Sequence, residues 1–388
     1  MSQEMQLQVR DMARNFSNEI IRPMAQELDE TENFPHELYL NMGELGLFGI
    51  GVPEEDGGPG FDTVTYALVM EELSRGYSSV ADQCGLIELI TTLLVRHGTL
   101  EQKTQLLSDI MSAKKLVAYC ITEPEAGTDV SGIRTKATKC DDGWVLNGGK
   151  IWIHNAPVAD LGFVLARTDP EAGHRGMSIF IVDLHAKGVS RGTKERKMGQ
   201  RASQVGALNF DNVILPEAAL LGEVGRGFHM MMSVLDKGRV GIAALAVGIA
   251  QAGLEVAIDY AKERRQFNQA ISEFQGVQWL LADMAKDVQA ARLLTKSAAE
   301  KIDRGEDATI DCSMAKCFAG DIAVKRSSDA VQVFGGIGYI RGFEVERLYR
   351  DAKICQIYEG TNQIQRMIIA RELLKNGAAS EPSWGSQL

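Results

Sequence analysis

The most informative stretch for the fold of this chain is QVFGGIGYIRGFEVERLYRDAKICQIYEGTNQIQR, residues 332–366. Near its end a YEG motif places one carboxylate, Glu359, between an aromatic residue and a glycine, where a charged helical run gives way to a turn. Gly360 has no side chain, so a ligand can approach the backbone there. A second amphipathic helix is predicted from about Ile364 to Lys375. Taken alone, Glu359 would more simply be a solvated turn residue, and the rest of the chain decides between the two interpretations.

The composition indicates a soluble globular protein built mainly from helices. Its 388 residues suggest two or three domains. Hydrophobic residues make up 45% and aromatic residues only 6%, so aliphatic and small side chains form the core. The net charge of −11 argues against binding of nucleic acid, because phosphates need a basic surface. The sequence contains no uninterrupted run of about 18 apolar residues, so we predict no membrane span.

The cysteines predict a reducing compartment and no metal site. The chain has six of them, none in a CxxC pair and none beside a histidine cluster. The first residues, MSQEMQLQVRDMARNF, form a charged amphipathic pattern without an apolar leader or an Arg/Ser-rich transit segment. We therefore expect a cytoplasmic protein, or a matrix protein if the numbering starts at a mature N-terminus.

Helical periodicity marks the first predicted domain, residues 1–117. Met5, Val9, Met12 and Phe16 recur at helical spacing. Prolines at positions 23 and 35 are expected to interrupt this pattern, and residues 52–62 are rich in glycine and proline and predict a loop. Helical patterns resume at residues 63–73 and 86–95.

The middle of the chain, residues 118–225, has the pattern of a β-domain. Short apolar runs are separated by Gly, Pro, Asn and Asp, which is typical of strands and turns. The runs are WVLNG at 144–148, LGFVLART at 161–168, MSIFIVD at 177–183 and GALNFDNVIL at 206–215. This spacing predicts a β-barrel or sandwich-like domain.

Helical patterns return in residues 226–375. Stretches rich in Ala, Leu and Met, such as 240–264 and 277–305, predict an antiparallel four-helix bundle that could also form an oligomer interface. Residues 376–388 are predicted to be a disordered tail. The predicted fold class is α+β: an N-terminal helical domain, a middle β-barrel or sandwich domain and a C-terminal four-helix bundle.

Four segments together resemble the acyl-CoA dehydrogenase family. They are YCITEPEAGTDVSG at 119–132, GGKIWIHNAPVAD at 148–160, ERRQFNQAISEFQ at 263–275 and the stretch at 332–366. Their order and spacing match the family over roughly residues 5 to 375. The first and last of these segments are the most specific.

The resemblance implies an enzyme of known architecture and chemistry. It implies FAD between the β-domain and the bundle, with a neighbouring subunit completing the site, and usually a homotetramer. The implied reaction is the α,β-dehydrogenation of an acyl-CoA to the trans-enoyl-CoA, as in fatty acid β-oxidation. The implied electron acceptor is electron-transferring flavoprotein.

Several residues match the family's FAD contacts. Tyr119, Ile121 and Thr122 resemble the strand and loop that pass the flavin, and Trp152 resembles the indole that packs against the isoalloxazine. The other matches to FAD-contacting positions are Thr128, His154, Arg264, Phe267, Gln275, Gln332, Gly335, Gly336, Thr361 and Gln363.

Two sets of these residues, the R-x-x-F motif and the Q-x-x-G-G turn, have a more specific implied role. Arg264 and Phe267 fit an R-x-x-F motif that contacts the FAD of a partner subunit, and Gln275 follows at the family's spacing. The Q-x-x-G-G turn, from Gln332 to Gly336, resembles the segment beside the adenosine part of FAD. In isolation Trp152 would more often be a core residue and Arg264 a solvated helix end. GGIGYIRG lacks both the G-x-G-x-x-G spacing and a preceding strand of a dinucleotide-binding unit.

The same resemblance assigns substrate contacts. Thr128 resembles the hydroxyl residue that contacts the CoA chain, and Asp236 and Arg239, in LDKGR, resemble the substrate-binding start of a bundle helix. Gly360 is the place where the thioester would pass the backbone.

Glu359 is the predicted catalytic base. The reaction removes the acidic α-proton of a thioester and transfers hydride from the β-carbon, and hydride transfer needs a cofactor. Burial would raise the pKa of Glu359 toward the working range. Some family members carry the base immediately before the residue matched by Arg239, but here that residue is Gly238. By resemblance, the enolate oxygen is stabilised by the backbone N–H of Glu359 and a ribityl hydroxyl of FAD.

Two features depart from the family. His154 stands where the family usually has Thr or Ser beside the flavin, and its ring could tune the flavin or turn aside. Asp82, Gln83 and Glu88 make the helix that matches the acyl-pocket wall unusually polar. We expect some of these three side chains to face solvent. If Asp82 or Gln83 points inward, a polar, branched or cyclic acyl group becomes the alternative to a plain fatty-acyl chain.

Three other functions stay open on the same scaffold. The first is an enoyl-CoA reductase that runs the reaction in reverse with the same base. The second is a flavin monooxygenase or oxidase, which would need no α-proton base and is therefore disfavoured by Glu359. The third is a catalytically silent CoA-binding relative, which the intact Glu359 and flavin motifs argue against.

Overall fold

The computed structural model describes residues 1–376, and its N-terminal part is helical. The helices before the sheet are α1 (Gln3–Phe16), α2 (Arg22–Thr31), α3 (His36–Glu44), α4 (Thr63–Gly76), α5 (Ser78–His97) and α6 (Leu100–Met111). Helix α5 begins well before the predicted segment 86–95. Its first turns contain polar residues that are nevertheless buried, so the sequence shows no apolar periodicity there. The predicted disordered tail lies outside the described residues, apart from Asn376 at its start.

Pro23 does not interrupt the first helical segment, contrary to expectation. Helix α1 continues into a π turn, Ser17–Ile21, and α2 follows directly with Pro23 in its first turn. Proline is tolerated there because the wider π turn and the start of a new helical stretch do not require its missing N–H. Pro35 does precede a new helix, α3, as predicted.

An eight-stranded sheet forms the middle of the molecule. Its strands are β1 (Val117–Cys120), β2 (Lys136–Cys140), β3 (Gly143–His154), β4 (Leu161–Arg167), β5 (Met177–Asp183), β6 (Val189–Arg191), β7 (Val205–Leu215) and β8 (Leu220–Leu221). The order is β6-β7-β3-β2-β4-β5-β8, and β1 pairs in parallel with β4. The four predicted runs fall in β3, β4, β5 and β7, and the strand implied by resemblance at Tyr119 is β1; β2, β6 and β8 were not predicted.

The C-terminal part of the described chain is again helical. It contains α7 (Gly227–Ser233), α8 (Leu235–Glu263), α9 (Gln275–Asp303), α10 (Thr309–Phe334), α11 (Glu344–Ala352) and α12 (Asn362–Asn376). A two-stranded hairpin, β9 (Arg265–Gln266) and β10 (Gln269–Ala270), joins α8 to α9. Helix α10 packs against α8, α9 and α12, which gives the predicted bundle.

This order of elements confirms the predicted α+β fold class. The boundaries proposed between the three domains stay predictions. Helix α5 lies at the centre of the arrangement, because it contacts α4, α6, α8 and the first strand of the sheet. Residues on α5 can therefore meet both the β-domain and the bundle.

Two helical segments are long and apolar enough to cross a membrane, Ser78–His97 and Gly227–Glu263. In each, about four-fifths of the most apolar window is buried within the protein, at 83% and 78% respectively. Their hydropathy is explained by their place in the core.

Candidate active site

Glu359 lies in a strained turn between α11 and α12. Its φ is 51°, a left-handed conformation that costs a non-glycine residue roughly 1–2 kcal/mol, and Gly360 follows with φ 89°. The side-chain amide of Gln365, one turn into α12, donates to the backbone oxygens of Glu359 and Gly360, each at 3.1 Å. The turn is thus fixed by the helix that follows it.

A buried lysine holds the same turn from the bundle side. Lys316 on α10 donates to the Gly360 oxygen at 2.8 Å and to Asn362 Oδ1 at 3.1 Å. Asn362 in turn donates to the backbone oxygen of Cys317 at 3.0 Å and to Asp321 at 2.8 Å. Lys316, Asn362 and Gln365 were missed from the sequence. The available signal was a lysine among the small and apolar residues of a region predicted to be helical.

The Glu359 carboxylate points at α8, where Gly238 leaves room for it. A Cβ added to Gly238 would meet the carboxyl carbon of Glu359 at 3.1 Å, and Oε2 more closely still. Glu359 Oε2 is buried and has no hydrogen-bond partner among the described residues. Burial raises the pKa of Glu359 to about 7. The negative charge of Asp82 contributes to this rise, and the positive charges of Lys316 and Arg239 oppose it.

Asp236 and Arg239, the predicted substrate contacts on α8, are bonded to each other. Arg239 Nη1 lies 2.7 Å from Asp236 Oδ1, and Thr309 donates to the second oxygen of Asp236 at 3.0 Å. The Nε of Arg239 is buried and has no partner within residues 1–376. The pair therefore fixes the Arg239 cation at the residue after Gly238, and its positive charge opposes the rise in the pKa of Glu359.

Two side-chain pairs connect α5 to the end of β3. His154 Nδ1 lies 3.2 Å from Asp82 Oδ2, and Asn155 Nδ2 donates to Gln83 Oε1 at 3.0 Å. Asp82 also accepts from Ser203 Oγ at 3.0 Å. The imidazole thus turns toward α5. Burial lowers the pKa of His154, partly offset by Asp82.

The expectation that some of the three polar α5 residues, Asp82, Gln83 and Glu88, face solvent is wrong. Gln83 and Glu88 are fully buried, and the Asp82 side chain is only 13% accessible. Glu88 is compensated by Lys237 Nζ at 2.5 Å and by the Gly51 N–H at 2.9 Å. Because these partners are distant in sequence, the polar pattern alone suggested exposure.

The β-domain supplies one wall of the same region. Tyr119 on β1 donates to the Met231 oxygen at 3.0 Å, and the Thr122 oxygen accepts from Ile151 at 3.0 Å. The Ile121 oxygen accepts from Lys150 Nζ at 2.8 Å. These bonds fix the segment after β1 against β3.

Trp152 projects from a bulge in β3. The register with β7 shifts between Lys150 and Ile153, and Trp152 has φ 55° with 61% of its surface exposed. A bulge re-aims side chains, and here it leaves the indole uncovered. Thr128 is also exposed, in the loop between β1 and β2.

The residues after Glu359 cap α12. Thr361 Oγ1 accepts from the Ile364 N–H at 3.2 Å, which is the bond of a helix N-cap. Gln363 is exposed in the first turn of the helix.

The other predicted cofactor contacts lie at the far end of the bundle. Arg264 ends α8, and Phe267 is at the tip of the β9–β10 hairpin with φ 52° and 88% exposure. Tyr260 stacks on Phe334 at 4.1 Å, which holds the end of α8 against the end of α10. The predicted contacts that are exposed at this end are Arg264, Phe267, Gln275, Gln332, Gly335 and Gly336.

The structure therefore separates the predicted site residues into two groups. Arg239 and Arg264 are 25 residues apart on one continuous helix and its cap. At the helical rise this corresponds to about 38 Å. A single molecule cannot bring Arg264 to the site beside Glu359, although a second copy could.

The chain matches three family models along its length. They are described as acyl-CoA dehydrogenase N-terminal domain, at residues 3–114, middle domain, at residues 118–213, and C-terminal domain, at residues 225–374.

Full-length relatives and a solved structure are similar to the whole chain. An acyl-CoA dehydrogenase of Bacillus subtilis is 45% identical over 370 residues, 95% of this chain and 98% of the relative. A subunit of the caffeyl-CoA reductase-Etf complex of Acetobacterium woodii is 41% identical, with 95% and 97% covered. The structure of butyryl-CoA dehydrogenase from Megasphaera elsdenii aligns with a TM-score of 0.94 at 40% identity, covering 96% of this chain and 99% of that chain.

Proposed function

Because this chain belongs to the acyl-CoA dehydrogenase family of oxidoreductases, we propose that it introduces a double bond between Cα and Cβ of an acyl-CoA thioester. In this proposal Glu359 takes the α-proton, and FAD, when bound, accepts hydride from the β-carbon. The observation that carries the proposal is the Glu359 carboxylate, buried, unpartnered at Oε2 and directed into the space opposite Gly238.

The described residues fit a flavin dinucleotide. Trp152 offers an uncovered indole for a planar ring system. At Gly335 and Gly336 an added Cβ would meet nothing within 4 Å, so the backbone is open to a ligand. Tyr119, Ile121, Thr122, Thr128, Thr361 and Gln363 would hold the flavin half, and Arg264, Phe267, Gln275, Gln332, Gly335 and Gly336 the FAD of a partner subunit.

The environment of Glu359 suits proton abstraction from a weakly acidic carbon. A base with a pKa of about 7 is partly ionised near neutrality and binds a proton more strongly than an exposed carboxylate. The backbone N–H of Glu359 forms no hydrogen bond within the described residues, so it is free to donate to the developing enolate oxygen. Asp236, Arg239, Thr128 and Gly360 would position the thioester.

Anaerobic titration tests the proposal. Purified protein with FAD should lose its flavin absorbance on addition of an acyl-CoA, and Glu359→Gln should bind FAD and thioester while losing most of the bleaching. Glutamine keeps the size of the side chain but cannot take the proton. Normal bleaching by Glu359→Gln would refute the role of Glu359, and no bleaching of the wild type by any thioester would refute the proposed function.

A second candidate is the reverse reaction, reduction of an enoyl-CoA. It is favoured by the similarity to a subunit of a caffeyl-CoA reductase complex and by the raised pKa of Glu359, since the same group can return a proton to Cα. The test compares two rates: reoxidation of the chemically reduced protein by an enoyl-CoA, and reduction of the oxidised protein by an acyl-CoA. A faster reoxidation would support the reductase function.

We further propose two protein partners. An electron-transferring flavoprotein is the proposed electron carrier, in line with the Etf-complex relative. The second proposed partner is another copy of the same chain. It is needed because the site residues near Glu359 and those near Arg264 are too far apart in one molecule to form one site. The proposed assembly is a homotetramer of two such dimers.

A further inference from the structure

A narrow space between α5 and α8 opens on the Glu359 carboxylate. Gly238 and Gly241 lie one turn apart on the same face of α8. A Cβ at Gly238 would meet Leu89 Cδ1 of α5 at 3.1 Å, besides Glu359, and a Cβ at Gly241 would meet Tyr66 Cε1 at 3.1 Å. Both glycines therefore leave room for side chains that converge on this space.

The hydroxyl of Tyr66 lies across that space. A Cβ at Gly241 would touch the hydroxyl, and a Cβ at Gly85 of α5 would lie 3.6 Å from it. Tyr66 is almost fully buried, and within residues 1–376 its hydroxyl forms no hydrogen bond. Burial raises the pKa of Tyr66 well above its usual range, and the charges of Glu359 and Asp82 add to the effect. The hydroxyl thus keeps its proton and is available as a donor.

Asp82 offers a free acceptor one turn from Gly85 on α5. Its Oδ2 contacts both His154 Nδ1, at 3.2 Å, and Ser203 Oγ, at 3.0 Å. Its Oδ1 has no hydrogen-bond partner in the described part of the chain, and 13% of the side chain stays accessible. Asp82, Gly85 and Leu89 are spaced three and four residues apart on α5, so Asp82 lies on the helix face that borders this space.

His154 adds a second acceptor. The neighbouring carboxylate oxygen can only accept, so the proton of the neutral imidazole is favoured on Nδ1. Its Nε2 is buried and has no partner among residues 1–376. Two acceptor atoms, Asp82 Oδ1 and His154 Nε2, and one phenolic donor therefore have no partner among residues 1–376, and a ligand could bond them; of the three, His154 Nε2 is buried.

We propose that Asp82 and Tyr66 select acyl-CoA thioesters whose acyl group carries a hydroxyl beyond Cβ, with Asp82 accepting its proton and Tyr66 donating to its oxygen. The inference rests on the proposed function and names the substrate class of the same site. A hydroxyl is favoured because it can donate and accept at once. A carboxylate would face the Asp82 anion, and an ammonium could not accept from Tyr66. Asp82 also has no need of a cationic ligand, because Lys197 already interacts electrostatically with it.

The test compares matched pairs of substrates on the FAD-loaded enzyme. One pair is para-hydroxyphenylpropionyl-CoA and phenylpropionyl-CoA, and the other is ω-hydroxybutyryl-CoA and pentanoyl-CoA, in which a methyl replaces the hydroxyl. The expected result is a kcat/KM for flavin bleaching that is roughly 10- to 100-fold higher for the hydroxylated member of at least one pair. A ratio measured on one preparation does not depend on its active fraction.

Variants assign the preference to the two residues. Tyr66→Phe keeps the ring, and Asp82→Ala removes the carboxylate; each should lower the ratio several-fold toward one. Thr91→Val is the matched control, because Thr91 is buried on the same helix and its hydroxyl bonds only α5 carbonyls, Ile87 at 2.9 Å and Glu88 at 3.3 Å. Calorimetric Kd values for the corresponding non-oxidisable thioether analogues should follow the same order without any turnover.

The outcomes separate the two proposals. If pentanoyl-CoA bleaches the flavin but neither hydroxylated member is preferred, or if Tyr66→Phe and Asp82→Ala both keep the preference, the selection of hydroxyl groups is refuted and the dehydrogenase function stands. If no thioester of either pair bleaches the flavin, the proposed function itself has failed.

Discussion

Gly238 and Glu359 face each other so closely that only one of them can carry a side chain into the space between them. A Cβ on Gly238 would lie 3.1 Å from the carboxyl carbon of Glu359. The two positions are 121 residues apart in the sequence. Glycine at 238 is therefore part of what allows Glu359 to be the base.

Gly238→Ala should displace the Glu359 carboxylate and slow flavin reduction. A shift of about 1 Å in a catalytic group can lower a rate roughly 100-fold, so we expect a loss of about 10- to 100-fold in stopped-flow bleaching with FAD still bound. Gly253→Ala, on the same helix, is the control, because its Cβ would lie an ordinary 3.5 Å from Ala330. Equal rates for Gly238→Ala and wild type would contradict the geometry.

The pH dependence of kcat/KM should report Glu359. Above a pKa of about 7 the carboxylate is ionised and can accept the proton, so the rate should rise with pH around that value. Asp82→Asn removes a negative charge that favours protonation of Glu359, and the rising limb should move to lower pH. Lys316→Gln removes a positive charge and should move it to higher pH. An unchanged limb in both variants would show that another group controls the rate.

The buried pair of Lys150 and Glu123 should be important for stability. Their side chains are 0% and 6% exposed and 2.8 Å apart, beneath the Ile121 segment. Lys150→Met leaves a buried carboxylate uncompensated and should cost about 3–5 kcal/mol in the free energy of unfolding, measured with denaturant.

Two comparisons make that result specific. Adding Glu123→Gln to Lys150→Met should recover part of the loss, since the uncompensated charge disappears. Lys286→Met breaks an exposed pair with Asp283, 2.7 Å apart, and should leave the free energy of unfolding almost unchanged, because solvent screens the two charges. A Lys150 variant as stable as the Lys286 variant would mean that the buried pair contributes nothing special.

Subunit mixing should show whether Arg264 serves a neighbouring site. Glu359→Gln and Arg264→Ala should each be largely inactive alone. In mixed dimers, the site with an intact Glu359 receives Arg264 from the other chain, so random pairing of equal amounts should restore about one quarter of the sites. Activity no higher than the sum of the separate variants would indicate that Arg264 acts within its own chain or not at all.

Helix and strand patterns predicted the fold because its main elements carry clear local signals. The long helices α8 and α9 have few breakers, and β3, β4, β5 and β7 have apolar runs bounded by turn residues. The shorter strands β6 and β8, of three and two residues, have no pattern of their own. They exist because the neighbouring strands offer backbone partners.

Within the site, the sequence could identify the proposed catalytic base but not the residues that hold it in place. Glu359 could be chosen from its motif, whereas the supports of its turn, Lys316 and Gln365, depend on how α10 and α12 pack. The contact of Asp82 with His154 joins residues 72 positions apart, and no periodicity encodes it. The sequence suggested polarity near the acyl group, but only the packing of α5 against the sheet shows where the polar atoms point.

Left-handed backbone holds three large side chains of the proposed site, although it also occurs outside that site, at Glu32 and Gln200. Within residues 1–376, Trp152, Phe267 and Glu359 all have φ between 51° and 55°, although residues of this size avoid that region. Glycine at any of the three would relax the backbone and should make the unliganded protein more stable. The chain thus keeps three side chains in conformations that lower its folding stability. Substitutions selected only for thermal resistance would therefore tend to replace residues of the proposed site.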